Sequence, residues 1–189
     1  MDPTILWFRR DLRLQDHAAL TAAVTRGGPI LAVFICDEQV ENLGAAPKWR
    51  LGASVAALQA ALLTKGNRLI LRRGCALPIL KALVAETGAK AVYWQRAYDP
   101  NSQSRDRAVK SALLDMDVEA QSFKGHLLFE PWTVQTKAGG FFKVYTPMWN
   151  SVRSRDVPAP LPEPAFIPAP MNFPKSENLA DWHLGHQMQ

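Results

Sequence analysis

Residues 30–36 read ILAVFIC, seven apolar side chains in succession. A strand with one wet face alternates apolar and polar residues. An unbroken run instead implies a strand covered on both faces, in the middle of a parallel sheet. Gly27-Gly28 lie just before the run, and Asp37 follows it. Working outward, Thr4–Phe8 is a shorter apolar strand upstream, and residues 68–71, 91–94 and 118–123 supply three more downstream. Between them lie helical stretches. The first runs from His17 to about Arg26, with Asp16 as the expected N-cap. The second opens at Pro47 and continues to about Leu63, closing near Gly66. A third runs from Pro78 to Gly88, and a fourth spans residues 102–114. Strands alternating with helices are βαβ units. The expected fold is therefore α/β: a doubly wound, five-stranded parallel sheet of Rossmann-like type with right-handed crossovers.

After Phe123 the alternation stops. Residues 124–155 read as loop, with a short helix starting near Thr146-Pro147. Seven prolines then fall between Val157 and Pro174, a density that excludes a helix or a central strand. This Pro-rich C-terminal extension is expected to be an extended connector that lies along a surface or joins two bodies. The organisation read from the sequence is thus 1–130, an α/β domain; 131–156, a segment packing toward another body; and 157–189, a linker. Only fifteen residues follow Pro174, so the linker points to a further domain absent from this chain.

With 189 residues and a net charge of +5, the chain can form a core and suits an anionic partner. No Lys/Arg run or basic stripe stands out, so direct nucleic-acid binding by this chain alone is not expected. Cys36 and Cys75 sit in apolar contexts and are expected to be reduced core thiols of a cytoplasmic protein. No Cys/His cluster suggests zinc, and no run is long enough to signal a leader or a membrane span. G-x-G-x-x-G, G-x-x-x-x-G-K-[ST] and G-x-S-x-G are all missing, which disfavours a Rossmann dehydrogenase, a P-loop enzyme and an α/β-hydrolase. His17, in a first helical turn, is expected to be a surface or packing residue. His126, His183 and His186 have no nucleophile or ligand partner at a useful spacing.

Charges gather where strands end. Arg9, Arg10, Asp11 and Arg13 follow the first strand, Asp37 the second, and Gln95, Arg96, Tyr98 and Asp99 the fourth. In an open parallel sheet, ligands bind beyond the carboxyl ends of the strands where the strand order reverses. If the first and fourth strands are neighbours, these groups converge on one crevice. Guanidiniums there can grip a carboxylate or phosphate, or they can pair with nearby acids and fix the loops. Mutual pairing is the stronger reading for Arg9, Asp11 and Arg13, while Arg10 suits either role. Trp7 and Trp94 should pack in or beside the sheet. Trp132 and Trp149 lie outside the repeating core and can stack on a ligand or bury against a partner domain.

Four stretches, in order, resemble the DNA photolyase/cryptochrome family: LWFRRDLRLQDHAAL (6–20), VYWQRAYDPNSQSRD (92–106), FKVYTPMWN (142–150) and LADWHLG (179–185). The resemblance implies the amino-terminal α/β domain, which binds an antenna chromophore of folate, deazaflavin, or flavin/lumazine type. It further implies a parent flavoprotein, a lyase of DNA repair. In that parent, FAD lies in a helical carboxyl-terminal domain and uses light to split cyclobutane pyrimidine dimers in damaged DNA. On this reading the chain itself holds neither FAD nor a catalytic residue, and its partners are that FAD-binding helical domain and, through it, damaged DNA, with no membrane. Position by position, the antenna contacts fall on Arg10, Phe34, Asp37, Arg50, Ser54, Asp99, Asn101, Ser102 and Arg105.

Folate-binding members typically carry Asn-Glu where this chain has Asn101-Ser102. Deazaflavin-binding members usually carry an acid at the place of Ala97 and Gly at that of Ser102. The antenna's identity is therefore open. Energy transfer requires a fixed distance and orientation but no acid–base group, which agrees with the lack of a catalytic constellation. Two other readings stand beside it. One is a stand-alone nucleotide-binding module of the electron-transfer-flavoprotein or universal-stress class. The other is a docking platform in which Trp132, Trp149 and residues 141–149 pack on the helical domain.

Overall fold

A computed structural model describes residues 1–184. Five strands form one parallel sheet in the order β3-β2-β1-β4-β5. They are β1 (Thr4–Phe8), β2 (Ile30–Cys36), β3 (Leu69–Arg73), β4 (Ala91–Gln95) and β5 (Glu119–Phe123). Every residue of β2 is buried, as its composition requires. The helices are α1 (Ala18–Arg26), α2 (Glu38–Glu41), α3 (Ala45–Thr64), α4 (Ala76–Thr87), α5 (Pro100–Leu114) and α6 (Tyr145–Val152).

Side chains along a strand alternate between faces, and the two cores follow that alternation. Leu6 and Phe8 of β1 join α1 and α3 in one core. Ile5 and Trp7 join α4 and α5 in the other. The sheet is therefore wound on both faces. From β1 the chain builds outward through β2 to β3, then returns to place β4 on β1's other side. Trp7 pairs with Val33 of β2 and Trp94 of β4, so the strand order reverses at β1. That reversal opens a crevice beyond the strands' carboxyl ends.

Several boundaries differ from the sequence expectation. Asp16 does not cap α1: His17 does, with Nδ1 accepting from the Leu20 N–H at 3.0 Å. Asp16 instead adopts a left-handed φ of 50°, and its carboxylate accepts from the Leu161 N–H in the Pro-rich extension. The third predicted helix begins at Ala76 rather than Pro78, because proline is tolerated throughout a first turn, where no intrahelical N–H bond is lost. Cys36 is buried, but Cys75 is exposed at the cap of α4 and is not a core thiol. Among the described residues no helix is long and apolar enough to cross a membrane.

The Pro-rich extension runs as a strap over the α1/α3 face. Ile167 is fully buried there, and the Ile30 N–H donates to the Pro168 carbonyl at 2.7 Å. Farther on, Leu71 N–H donates to Ser176 Oγ, Glu177 N–H to the Leu71 carbonyl, and Arg73 N–H to the Glu177 carboxylate. These bonds cover the open edge of β3, where unpaired backbone groups would otherwise invite another strand. The strap ends with Trp182, buried against Phe34 at 6.0 Å between ring centroids, its indole N–H donating to Glu177 at 2.6 Å.

Candidate functional site

The charges at the end of β1 differ in how far they are already paired. In one group, all are engaged. Arg9 forks onto both oxygens of Asp106 at 2.9 and 2.8 Å, and it also donates to the Gln95 carbonyl. Arg105 reaches Asp37 and Asp106. Both guanidiniums lie over the Trp7 ring, at 4.8 and 4.9 Å from its centroid. Asp37 also caps α2, accepting from the Gln39 and Val40 N–H groups. Asp11 accepts from the Arg9 N–H and touches His17 Nε2 at 2.8 Å, with both side chains fully buried. Because His17 Nδ1 accepts a bond, Nε2 carries the proton that points at Asp11. Burial alone would raise the Asp11 carboxyl. The His17 contact and the Arg9 N–H outweigh it and hold the group below the ordinary carboxylate value. Arg13 donates to the carbonyls of Gln15, Asp16 and Gly125. Arg9, Asp11 and Arg13 thus carry structural contacts, though Arg9's acid is Asp106 rather than its sequence neighbour.

Beside these groups lies a cleft of about 440 Å³, which Arg9, Asp37 and Arg105 help to line. Phe34, Val40, Leu43 and Leu51 supply an apolar wall, and Arg10, Gln39 and Asp99 supply polar groups. Arg10 is exposed and makes no hydrogen bond or ion pair among the described residues. Its charge acts on Asp99. Partial burial would push the Asp99 carboxyl up, but the Ser102 N–H and hydroxyl, together with Arg10, bring it below the ordinary value. Asp99 caps α5 through the Ser102 N–H at 2.9 Å, and the Ser102 hydroxyl donates to Gln39 Oε1.

Of the residues expected from the sequence, Arg10, Phe34, Asp37, Asp99, Ser102 and Arg105 line this cleft. Arg50, Ser54 and Asn101 do not. Arg50 and Asn101 are exposed on α3 and α5, and the Ser54 hydroxyl donates back to the Arg50 carbonyl. Asp37 and Arg105 neutralise one another, which leaves Arg10, near Asp99 but in no direct ion pair, as the cleft's open cation.

Sequence reasoning missed α2, a four-residue turn too short to show periodicity, and with it Gln39 and Val40. It also missed His126 and Leu127, which reach the cleft from a loop beyond β5. Burial pushes the His126 imidazole below its ordinary value, and Arg9, Arg13 and Arg10 push the same way against Asp11. That makes it a neutral polar group at pH 7. Tyr98 completes the rim, its hydroxyl donating to Glu130 at 2.9 Å. Among the described residues no three His, Cys, Asp or Glu side chains gather to hold a metal. The arrangement can seat a flat, largely apolar ring system and grip one anionic or polar group at its edge.

A family model for DNA photolyase matches residues 4–165. The deoxyribodipyrimidine photo-lyase of Agrobacterium fabrum is 46% identical over 183 residues, 96% of this chain and 38% of that protein. Cryptochrome-1 of Arabidopsis thaliana is 36% identical over 170 residues, 87% of this chain and 25% of that protein. The crystal structure of a bacterial class III photolyase from Agrobacterium tumefaciens superposes with a TM-score of 0.93 at 46% identity, covering 97% of this chain and 38% of that one. The chain spans about two fifths or less of the length of these relatives.

Proposed function

This chain belongs to the DNA photolyase family, and on that premise we propose that its α/β domain is the antenna-chromophore domain of a light-driven deoxyribodipyrimidine photolyase. The cleft at the β1/β4 reversal carries this reading: one wall is apolar, and the rim offers Arg10, whose guanidinium makes no hydrogen bond or ion pair among the described residues. When bound, the chromophore supplies light absorption and passes the excitation on. The protein's residues hold it still. Phe34, buried against Trp182, forms the floor, and the half-buried Val40, Leu43 and Leu51 give a flat ring an apolar wall and exclude water. Arg10 anchors a carboxylate, phosphate or polar edge, and Gln39 and Asp99 offer hydrogen bonds to ring heteroatoms. About 440 Å³ suits one ring system of folate, deazaflavin, or flavin/lumazine type.

The remainder of the reading concerns the parent protein. FAD and damaged DNA belong to its helical domain, and residues 131–156 are the segment that meets that domain. Exposed Phe141, Val144, Tyr145 and Trp149 support such a contact. Residues 157–189 lead toward it, with 157–184 strapped to the α/β body on the way and residues 185–189 outside the described part. Repair is favoured over photoreception by the higher identity to the Agrobacterium photo-lyase than to the Arabidopsis cryptochrome, and the cytoplasm is the expected compartment.

The test is an absorption and fluorescence spectrum of the chain, alone and after equilibration with a reduced folate, riboflavin, a 5-deazaflavin and a ribityl-lumazine. Retention of one of these after gel filtration, lost in Arg10→Ala, is the expected result. Retention of none, with ATP or AMP retained instead, would replace the antenna reading with the nucleotide-module one.

A further inference from the structure

The β4–α5 turn has a second side. Ala97 and Tyr98 belong to the cleft described above and also to another, of about 520 Å³, that opens away from it. The second cleft shares none of Arg10, Phe34 or Asp99. Its outer wall is the side of α5 that carries Arg107 and Lys110, and its far wall is Trp132.

Three observations make it more than a surface dip. Trp132 is 56% exposed, yet one face is already positioned by the Arg96 guanidinium, 5.1 Å from the ring centroid. Arg96 is in turn held by Glu130 at 2.9 Å, so its charge is spent and the ring is pinned with an open face. Arg107 and Lys110 stand three residues apart on α5, hence side by side on one helix face. Neither makes an ion pair or hydrogen bond among the described residues. The one acid in the lining, Asp106, has its oxygens taken by Arg9 and Arg105. The cleft therefore carries two uncompensated positive charges. Finally, Trp94 lies against it with a buried indole N–H that finds no acceptor.

A pinned aromatic face beside two free cations is a recognition set for a flat ring bearing negative charge. We propose that this cleft is a second binding site, for a planar aromatic ligand that carries a carboxylate or phosphate. The ring stacks on Trp132, and Arg107 and Lys110 take the anion. This proposal does not depend on the first cleft holding an antenna.

Flavin mononucleotide is a suitable probe, with riboflavin as the same ring without the charge and inorganic phosphate as the charge without the ring. In the ¹⁵N-labelled chain, flavin mononucleotide should shift the Trp132 and Trp94 indole N–H resonances, the first identified by its loss in Trp132→Phe. Riboflavin should bind at the same place about tenfold more weakly or worse, and Arg107→Ala/Lys110→Ala should bring flavin mononucleotide down to that level. Arg10→Ala should leave these shifts intact. Immobile Trp132 and Trp94 resonances at excess flavin mononucleotide would overturn the proposal. So would shifts produced equally by phosphate alone, or shifts indifferent to loss of both cations. Binding abolished by Arg10→Ala would overturn it while leaving the first cleft as the ligand site. Failure of the antenna reading shows up elsewhere, as chromophore retention indifferent to Arg10→Ala.

Discussion

Arg9 and Arg10 are adjacent in the chain and both line the cleft, but they differ in what already holds them. Arg9 is closed on a set of partners: Asp106, the Gln95 carbonyl and the Trp7 face. Arg10 makes no hydrogen bond or ion pair among the described residues. Charge density at a strand end therefore does not by itself distinguish charges closed in structural pairs from those left open.

The buried region should break hardest. His17→Ala removes the α1 cap and strips Asp11 of its buried partner, so a loss of about 4 kcal/mol is expected in urea unfolding. A loss below about 1 kcal/mol, as for an exposed pair, would erase the distinction between closed and open groups. Trp182→Ala tests whether the strap belongs to the body. It should cost about 3 kcal/mol through the vacated space against Phe34, and it should also weaken any ligand resting on that wall.

Away from the tip, Tyr93 sharpens the comparison through pH. Burial, then its hydrogen bond to Glu119, pushes its hydroxyl up to about 12. The unfolded chain releases that proton near pH 10, while the folded chain keeps it. The associated stability is complete below pH 10 and is lost as pH rises toward 12. Thermal melts should therefore fall more steeply over that interval in the wild type than in Tyr93→Phe. The smallest effect belongs to Asp16→Asn. Because Asp16 is not the cap of α1, Asp16→Asn, which keeps the tolerance for a left-handed φ, gives up only exposed charge contacts to Leu161 and Arg13, about 0.5 kcal/mol. A cost of 1 kcal/mol or more would mean that this exposed carboxylate fixes the strap.

The contrast between Asp16 and His17 shows where sequence reading stops. Both can cap a helix by type. The choice fell to His17 because the strap claims the Asp16 carboxylate from 145 residues away, and no local pattern carries that information. The sheet, in contrast, was legible almost throughout, since burial on two faces imprints an unbroken apolar run such as 30–36. That β1 neighbours β4 follows from the parallel-sheet switch point but not from periodicity. At the site, Arg10, Phe34 and Asp99 were reachable from their places at strand ends and by resemblance. The Asp37–Arg105 pair, in which two of the expected residues bind each other while lining the cleft, joins residues 68 apart. His126 enters from an irregular loop, where neither period nor spacing carries a signal. Arg50 and Asn101 show the opposite limit: matching a family position does not place a side chain in this chain's cleft.

The contrast between the paired Arg9 and the open Arg10 can be tested with two substitutions and two readouts. Arg9→Ala and Arg10→Ala should be compared for melting temperature and for the dissociation constant of whichever chromophore the chain retains. Arg9→Ala should lower stability by about 2 kcal/mol, since it leaves Asp106 and the Gln95 carbonyl short of a donor, and any effect on affinity should scale with that loss. Arg10→Ala should leave stability within about 0.5 kcal/mol of wild type and weaken the chromophore about tenfold or more. Equal destabilisation by both substitutions, with affinity untouched in Arg10→Ala, would contradict the account.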